Sequence, residues 1–197
     1  MSNASFGRAN SGNAKRTCHV HVILDNSPSA RSFSGTILRR LGALVDMLRT
    51  TSEKSCSAFR ISVALLHGGW LRENVDAAEF TVPSGNELEF PPGTPLVVRS
   101  QEVVDALTAC VSERIAAGER CSGSIVWITA GEPTDTDNSA RLEKLKASVS
   151  FLLAEKSEPD ALRCSCWAMI NAPEERTFFQ EIGLPDSCIF VGPTDLF

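Results

Sequence analysis

Segments with a strand pattern and segments with a helix pattern alternate along this chain, and no other feature of the sequence constrains the fold as strongly. Short apolar runs of the strand type occur at residues 18–24, 59–66, 124–129, 162–170 and 188–191. Between most of these runs, apolar residues recur at helical spacing, at 33–50, 103–115, 142–153 and 173–182. Strands that alternate with helices favour a mostly parallel sheet, because each parallel crossover needs a helix to return the chain.

One connection is too short for such a crossover. Gly68 and Gly69 make a tight turn between the strand at 59–66 and a weaker strand around 77–82, so these two strands must run antiparallel. We therefore predict an α/β fold with a doubly wound, mostly parallel six-stranded sheet, one antiparallel edge strand and helices on both faces. The ligand site of such a sheet lies at the carboxyl ends of its strands, so function is expected in the loops that leave them.

The segment after the predicted edge strand is irregular. Residues 83–95 contain four prolines and two glycines, and a loop of this length in a compact domain is usually functional or disordered. The helix that follows is predicted to begin at Ser100, whose hydroxyl can cap it, with Glu102 in the first turn.

Length, charge and cysteine content restrict the class of protein. The 197 residues fit one domain, which we place at residues 17–197 after a flexible lead-in at 1–16 that lacks the apolar centre of a secretory signal. No apolar stretch is long enough for a membrane span. The net charge of −5 and the lack of a basic stripe argue against nucleic-acid partners. Seven cysteines, an odd number, predict free thiols in a reducing cytoplasm.

The loop directly after the first strand carries a concentration of oxygen-bearing side chains. It reads Asp25-Asn26-Ser27-Pro28-Ser29 and is called the first loop below. One carboxylate and two hydroxyls are ligands of the type that Mg²⁺ prefers, with positions left over for water and for an outside carboxylate. The same residue types also occur in ordinary strand-to-helix turns, so the first loop alone leaves both interpretations open.

Two further segments strengthen the metal-binding interpretation. The second loop, residues 92–95, contains Thr94 and precedes a long helix, and the third loop, residues 129–135, follows the strand at 124–129. In this order the three loops resemble those of the von Willebrand factor type A family, where the first reads Asp-x-Ser-x-Ser, the second supplies a Thr and the third an Asp followed by Gly. The resemblance covers nearly the whole chain after residue 17. Residues 127–135 are most similar to the bacterial TerY-like subgroup, which is linked to tellurium resistance and stress response.

The resemblance implies a metal-ion-dependent adhesion site. Its ligands, direct or through water, would be Asp25, Ser27, Ser29 and Thr94, and its cation Mg²⁺ or else Mn²⁺ or Ca²⁺. The chain departs from the family at Ala130, which stands where the third loop of the family has its Asp. A methyl group cannot bind a cation, so one formal negative charge remains instead of two. Glu132 and Asp135 are nearby acids that could replace it, although both are also ordinary turn residues.

These features predict an intracellular protein-interaction module that binds a Glu or Asp of a partner protein through the cation. A metal-free, degenerate domain that binds its partner directly is the alternative. A metal-assisted hydrolase is less favoured, because the chain has no Gly-x-Ser-x-Gly or phosphate-binding motif and no visible general base. We expect His19, His21 and His67 to be structural and to lie away from the edge that carries the first loop.

Overall fold

The computed structural model describes residues 16–55, 57–137, 139–154 and 163–192. Six strands and four α-helices form the framework, in the order β1 Arg16–Leu24, α1 Ser34–Lys54, β2 Ser57–Leu65, β3 Trp70–Asp76, α2 Leu96–Ala116, β4 Cys121–Ile128, α3 Ser139–Leu153, β5 Cys164–Ile170, α4 Arg176–Glu181 and β6 Ile189–Val191. Short 3-10 helices lie in the connections, at Ser29–Phe33, Gly85–Glu87, Pro173–Glu175 and Asp186–Cys188.

The six strands form one sheet in the order β3-β2-β1-β4-β5-β6. All neighbours are parallel except β2 and β3, so β3 is an antiparallel edge strand. Helix α1 packs on one face, and helices α2, α3 and α4 pack on the other. The predicted fold class, a doubly wound and mostly parallel sheet with one antiparallel edge strand, is therefore confirmed.

The order of the strands creates one position at which the winding reverses. From β1 the chain first adds β2 and β3 on one side, and then returns to add β4, β5 and β6 on the other. The carboxyl ends of β1 and β4 therefore lie side by side, with crossovers that leave in opposite directions. Doubly wound sheets bind their ligands in the crevice at such a point.

The edge strand was expected in the wrong segment. The weaker strand predicted around 77–82 is instead irregular, and the strand that pairs with β2 is Trp70–Asp76. Ala77 and Phe80 are apolar because they are buried on the α1 face of the sheet, where Arg49 donates hydrogen bonds to both of their carbonyl oxygens (2.8 and 2.6 Å). The apolar character of Ala77 and Phe80 therefore reflects packing against α1 and not pairing within the sheet.

Ser100 also differs from its predicted role. Helix α2 begins at Leu96, which places Ser100 inside the helix and not at its cap. The Ser100 hydroxyl is fully buried and accepts a hydrogen bond from the indole Nε1–H of Trp127, 2.8 Å away, from the central strand β4. A polar helix residue thus satisfies the one polar atom of the largest side chain in the core.

His19 and His21 flank the midpoint of β1 and are both buried, as expected for structural histidines. The ring of Trp70 meets the ring of His21 edge-on, with 5.1 Å between centroids. Burial lowers the pKa of each histidine to about 4, so both rings stay neutral at pH 7.

Among the helices that the structure describes, none is long and apolar enough to cross a membrane.

We predict that Ser100→Ala destabilises the fold, because it leaves the buried Trp127 N–H without an acceptor. The expected loss is about 1–3 kcal/mol of the free energy of unfolding, measured by urea titration. Ser112→Ala, at an exposed position of the same helix, is the matched control and should cost nothing. Equal stability of the two variants would contradict the role assigned to Ser100.

We also predict that the fold loses stability as the pH falls from about 6.5 to about 4, the interval between the ordinary histidine pKa and the lowered values of His19 and His21. In that interval the two histidines are protonated in the unfolded chain but stay neutral in the folded chain. The free energy of unfolding therefore decreases with falling pH. Urea titrations at several pH values test this for the wild type and for His21→Gln. The variant should show a shallower decrease, and an unchanged pH dependence would count against the prediction.

Candidate functional site

The first and third loops meet at the point where the winding of the sheet reverses. The first loop follows β1 and the third follows β4, and the Asp25 N–H donates to the carbonyl oxygen of Ile128 at 2.9 Å, so the pairing of the two strands continues into the loops. The residues predicted from the sequence thus lie in the crevice where this class of sheet binds its ligands.

Asp25 holds the two loops together. Its carboxylate is fully buried, and Oδ1 accepts the backbone N–H of Ser27 at 2.8 Å. Oδ2 accepts two hydrogen bonds from the third loop, one from the Thr129 hydroxyl and one from the Ala130 N–H, both at 2.8 Å. Carboxylate oxygens have about four lone-pair sites in all, so Oδ1 retains accepting capacity beyond its single bond.

The two serines of the first loop present their hydroxyls side by side. Ser27 Oγ and Ser29 Oγ are 2.9 Å apart and share a hydrogen bond; Ser27 is buried and Ser29 is exposed. Gly131 of the third loop packs directly against them, since a Cβ at this glycine would lie 2.5 Å from Ser29 Oγ and 3.9 Å from Ser27 Oγ. Only a glycine fits at this position without displacing the Ser29 hydroxyl.

The second loop is tied to the third. The Thr94 N–H donates to the hydroxyl of Thr134 at 2.8 Å, and the Thr94 carbonyl oxygen accepts the Thr134 N–H at 3.0 Å. Thr94 is buried at the same edge of the sheet, but these bonds connect it to the third loop and not to Ser27 or Ser29.

Asp135 and Glu132, the two possible replacements for the third-loop Asp, have different surroundings. The carboxylate of Asp135 accepts the backbone N–H groups of Val97 and Val98, at 3.1 and 2.9 Å, and thereby caps the first turn of α2. This role explains an acid at position 135 without a cation. Glu132 is exposed.

His67 was expected to lie away from this edge, and that expectation was wrong. Because β1 and β2 are parallel, the residues that follow them lie at the same edge of the sheet. The side chain of Asn26 accepts the His67 N–H at 2.8 Å and donates to the His67 carbonyl oxygen at 3.1 Å. The His67 ring donates from Nε2 to the carbonyl oxygen of Gly93 at 2.8 Å. His67 thus links the first loop to the second.

A second buried carboxylate at this edge was missed by the sequence reasoning. Glu175 is 6 % exposed and accepts the backbone N–H of Asn171 at 3.2 Å. Burial raises the pKa of Glu175, nearby backbone N–H groups oppose the rise, and the negative charge of Asp25 adds to it. The sequence showed an ordinary Pro-Glu-Glu helix start at 173–175, so nothing distinguished Glu175 from its neighbour.

The oxygen atoms of Asp25, Ser27 and Ser29 are ligands of the type that a hard divalent cation prefers. Adjacent ligands of an octahedral Mg²⁺ lie about 2.9 Å apart, since its bonds to oxygen are about 2.0–2.1 Å long, and the two serine hydroxyls already have this spacing. No group of three or more His, Cys, Asp or Glu side chains in the described residues could hold an ion. An ion at this edge would therefore depend on hydroxyl oxygens together with Asp25.

No protein-family model matches this chain, and no curated protein matches it in sequence. The resemblance of the three loops to the von Willebrand factor type A family thus stays a prediction that rests on the loops themselves.

We predict that Gly131→Ala forces the Ser29 hydroxyl away from Ser27 and costs about 1 kcal/mol, the value of one hydrogen bond. In a Ser29→Ala background the same substitution should cost much less, because the nearest atom of residue 29 is then Cβ at 3.4 Å. Urea titration of both single variants and the double variant measures this coupling. Gly85→Ala, where no atom lies within 4 Å of the added Cβ, is the control. Additive costs would contradict the contact.

Proposed function

We propose that this chain is a protein-binding domain of the von Willebrand factor type A kind. Asp25, Ser27, Ser29 and Thr94 would hold Mg²⁺, or else Mn²⁺ or Ca²⁺, and a Glu or Asp of a partner protein would complete the site. The observation that carries the proposal is the meeting of the first and third loops at the reversal point, where two hydroxyls 2.9 Å apart face Gly131.

The proposed ligands differ in charge. Asp25 would contribute formal negative charge, and the hydroxyls would contribute neutral oxygens. When bound, the cation would offer an open coordination position to an incoming carboxylate. The contact would be charge-assisted and therefore stronger than a neutral hydrogen bond, and the surrounding loops, including residues 83–95, would add contact area and selectivity.

Binding is favoured over catalysis by the partners of the serines. Ser27 and Ser29 bond to each other, and among the described residues no histidine is bonded to either hydroxyl. A serine nucleophile needs a base within hydrogen-bond reach. His67, the histidine at this edge, donates its Nε2–H to the Gly93 carbonyl oxygen instead.

A bacterial stress-response or tellurium-resistance setting inside the cell is part of the proposal. The TerY-like residues 127–135 support the setting. The cysteines support a reducing compartment, because Cys18, Cys110, Cys121, Cys166 and Cys188 are free thiols in the structure.

A metal-free binding scaffold is the second candidate, and two observations favour it. Ala130 is buried where the family has an acid, and the bond between Ser27 and Ser29 already gives each hydroxyl a partner without an ion. Under this alternative the loops bind the partner directly. Ala130→Asp distinguishes the candidates, because cation affinity that appears only in this variant would mark the native site as a vestige.

We predict that calorimetric titration with Mg²⁺, Mn²⁺ and Ca²⁺ gives saturable one-site binding for the wild type. Asp25→Asn keeps the size of the side chain but removes its charge, so affinity should fall on the order of tenfold or more, equivalent to about 1.4 kcal/mol or more. Ser29→Ala, which removes an exposed hydroxyl, should also weaken binding.

The control is Asp46→Asn, an exposed acid on α1 whose partner is Arg49. It should leave cation affinity unchanged, and circular dichroism should show that each variant is folded. If the wild type gives no saturable heat with any of the three cations, the cation role is refuted and the metal-free scaffold is preferred.

A further inference from the structure

A cavity lies on the α1 face of the sheet, between this helix and the strands β1, β4, β5 and β6. Its volume is about 280 Å³, and its lining is almost entirely apolar. Of the described α-helices only α1 packs on this face, so the half of the sheet formed by β4, β5 and β6 is partly uncovered beside it. The cavity therefore follows from the unequal division of the helices between the two faces.

The depth of the cavity favours a small molecule over a protein surface as its occupant. Val20, Val126 and Met169 form its floor on the sheet, and each is at most 5 % exposed, so a flat partner surface would not reach them. The mouth lies beside Met47 of α1, which also lines the cavity and is 36 % exposed. An occupant must therefore pass this mouth and fit inside.

Volume and charge restrict what can fit. An apolar cavity of about 150 Å³ holds one benzene molecule, so a cavity of about 280 Å³ has room for two fused six-membered rings. The lining contains no charged side chain among the described residues, and an unpaired charge is costly among apolar groups, so a neutral ligand is favoured. Phe59, Trp167 and Phe190 contribute aromatic rings to the lining, and such rings pack well against other rings.

Two hydroxyls interrupt the apolar lining. Ser124 Oγ and Ser165 Oγ lie on neighbouring strands, are 2.9 Å apart and share a hydrogen bond, and the indole N–H of Trp167 donates to Ser165 Oγ at 3.1 Å. These three groups carry three polar hydrogens but form only two hydrogen bonds, and the described residues offer them no further acceptor. Whichever serine donates to the other, one hydroxyl hydrogen is left over at the cavity wall. An acceptor oxygen on a ligand would pair with it and remove the cost of an unpaired donor.

We propose that this cavity binds a neutral, largely apolar molecule the size of two fused rings, with one acceptor oxygen that takes the spare hydrogen of the Ser124 and Ser165 hydroxyls. The rings would fill the space between α1 and the sheet, and the oxygen would fix their orientation. Small-ligand sites commonly combine an apolar lining with a few polar groups in this way. The site is independent of the proposed cation site, because its residues belong to the strands and α1 and not to the three loops.

The test uses two probes that differ in one oxygen: 1-tetralone, a bicyclic ketone, and tetralin, the same ring system without the oxygen. Calorimetric titration of the full chain should give saturable one-site binding of 1-tetralone. Tetralin should bind about fivefold more weakly, the ratio that corresponds to one net hydrogen bond. In NMR spectra, 1-tetralone should shift the indole N–H signal of Trp167, assigned with Trp167→Phe, more than the signals of Trp70 and Trp127.

Two variants block the cavity at different depths. Ser124→Leu fills the wall and Met47→Trp narrows the mouth, and each should lower 1-tetralone affinity on the order of tenfold or more, because a close-packed interior leaves no room for the rings. Met47 is exposed, so Met47→Trp tests the site even if Ser124→Leu reduces stability in thermal unfolding. The matched control is Ser112→Leu, at an exposed position of α2 on the opposite face, and it should leave the affinity unchanged.

Three results would each overturn the proposal: no saturable binding of 1-tetralone by the wild type, equal affinities for the two probes, or unchanged affinity in both blocking variants. Light scattering tests a different occupant. A wild-type dimer that Met47→Trp dissociates, with no binding of either probe, would show that a second copy of the chain covers the mouth, and the proposal would be wrong. Mg²⁺ affinity enters none of these results, so the cavity and the proposed cation site stand or fall separately.

Discussion

The carboxylate of Asp25 is the interaction on which the candidate site depends. It accepts hydrogen bonds from Ser27 in its own loop and from Thr129 and Ala130 in the third loop, and it does so fully buried. Donors from both sides of the reversal point thus converge on one acceptor. An uncompensated charge would be costly at this depth, and the three hydrogen bonds offset that cost. The acid therefore has a structural reason to be present before any cation is considered.

The fold could be predicted because its signals are local. The apolar periodicity of strands and helices can be read from consecutive residues. The short turn at Gly68 and Gly69 predicted the one antiparallel pair of strands. The errors arose where a local pattern did not reveal its partner. Phe80 is apolar because it packs on the α1 face, and Ser100 is polar because the indole of Trp127 needs an acceptor. Neither partner can be identified from the residues around the position.

The sequence predicted the three loops of the candidate site but not every side chain that the fold brings to this edge. Asp25, Ser27 and Ser29 are neighbours in the sequence, whereas Glu175 reaches the same edge only through the order of the strands. His67 is a different case, because the parallel arrangement that was predicted already placed the end of β2 beside the end of β1. A parallel pair of strands is enough to place His67 at the same edge as Asp25. The capping of α2 by Asp135, in contrast, depends on how the third loop folds back.

The charges at this edge bear on what kind of partner the proposed cation site would select. Asp25 and Glu175 are both buried; burial raises the pKa of Glu175 and the charge of Asp25 adds to the rise, while the single positive charge of the buried Arg40 offsets only one of the two acids. A divalent cation would change the sum of these groups from one negative to one positive charge. A single carboxylate from a partner would then bring the site to neutrality, whereas an amide of the same shape would leave a desolvated positive charge. Under the proposed function, discrimination between Glu and Gln in a partner would follow from the charge balance of these buried groups.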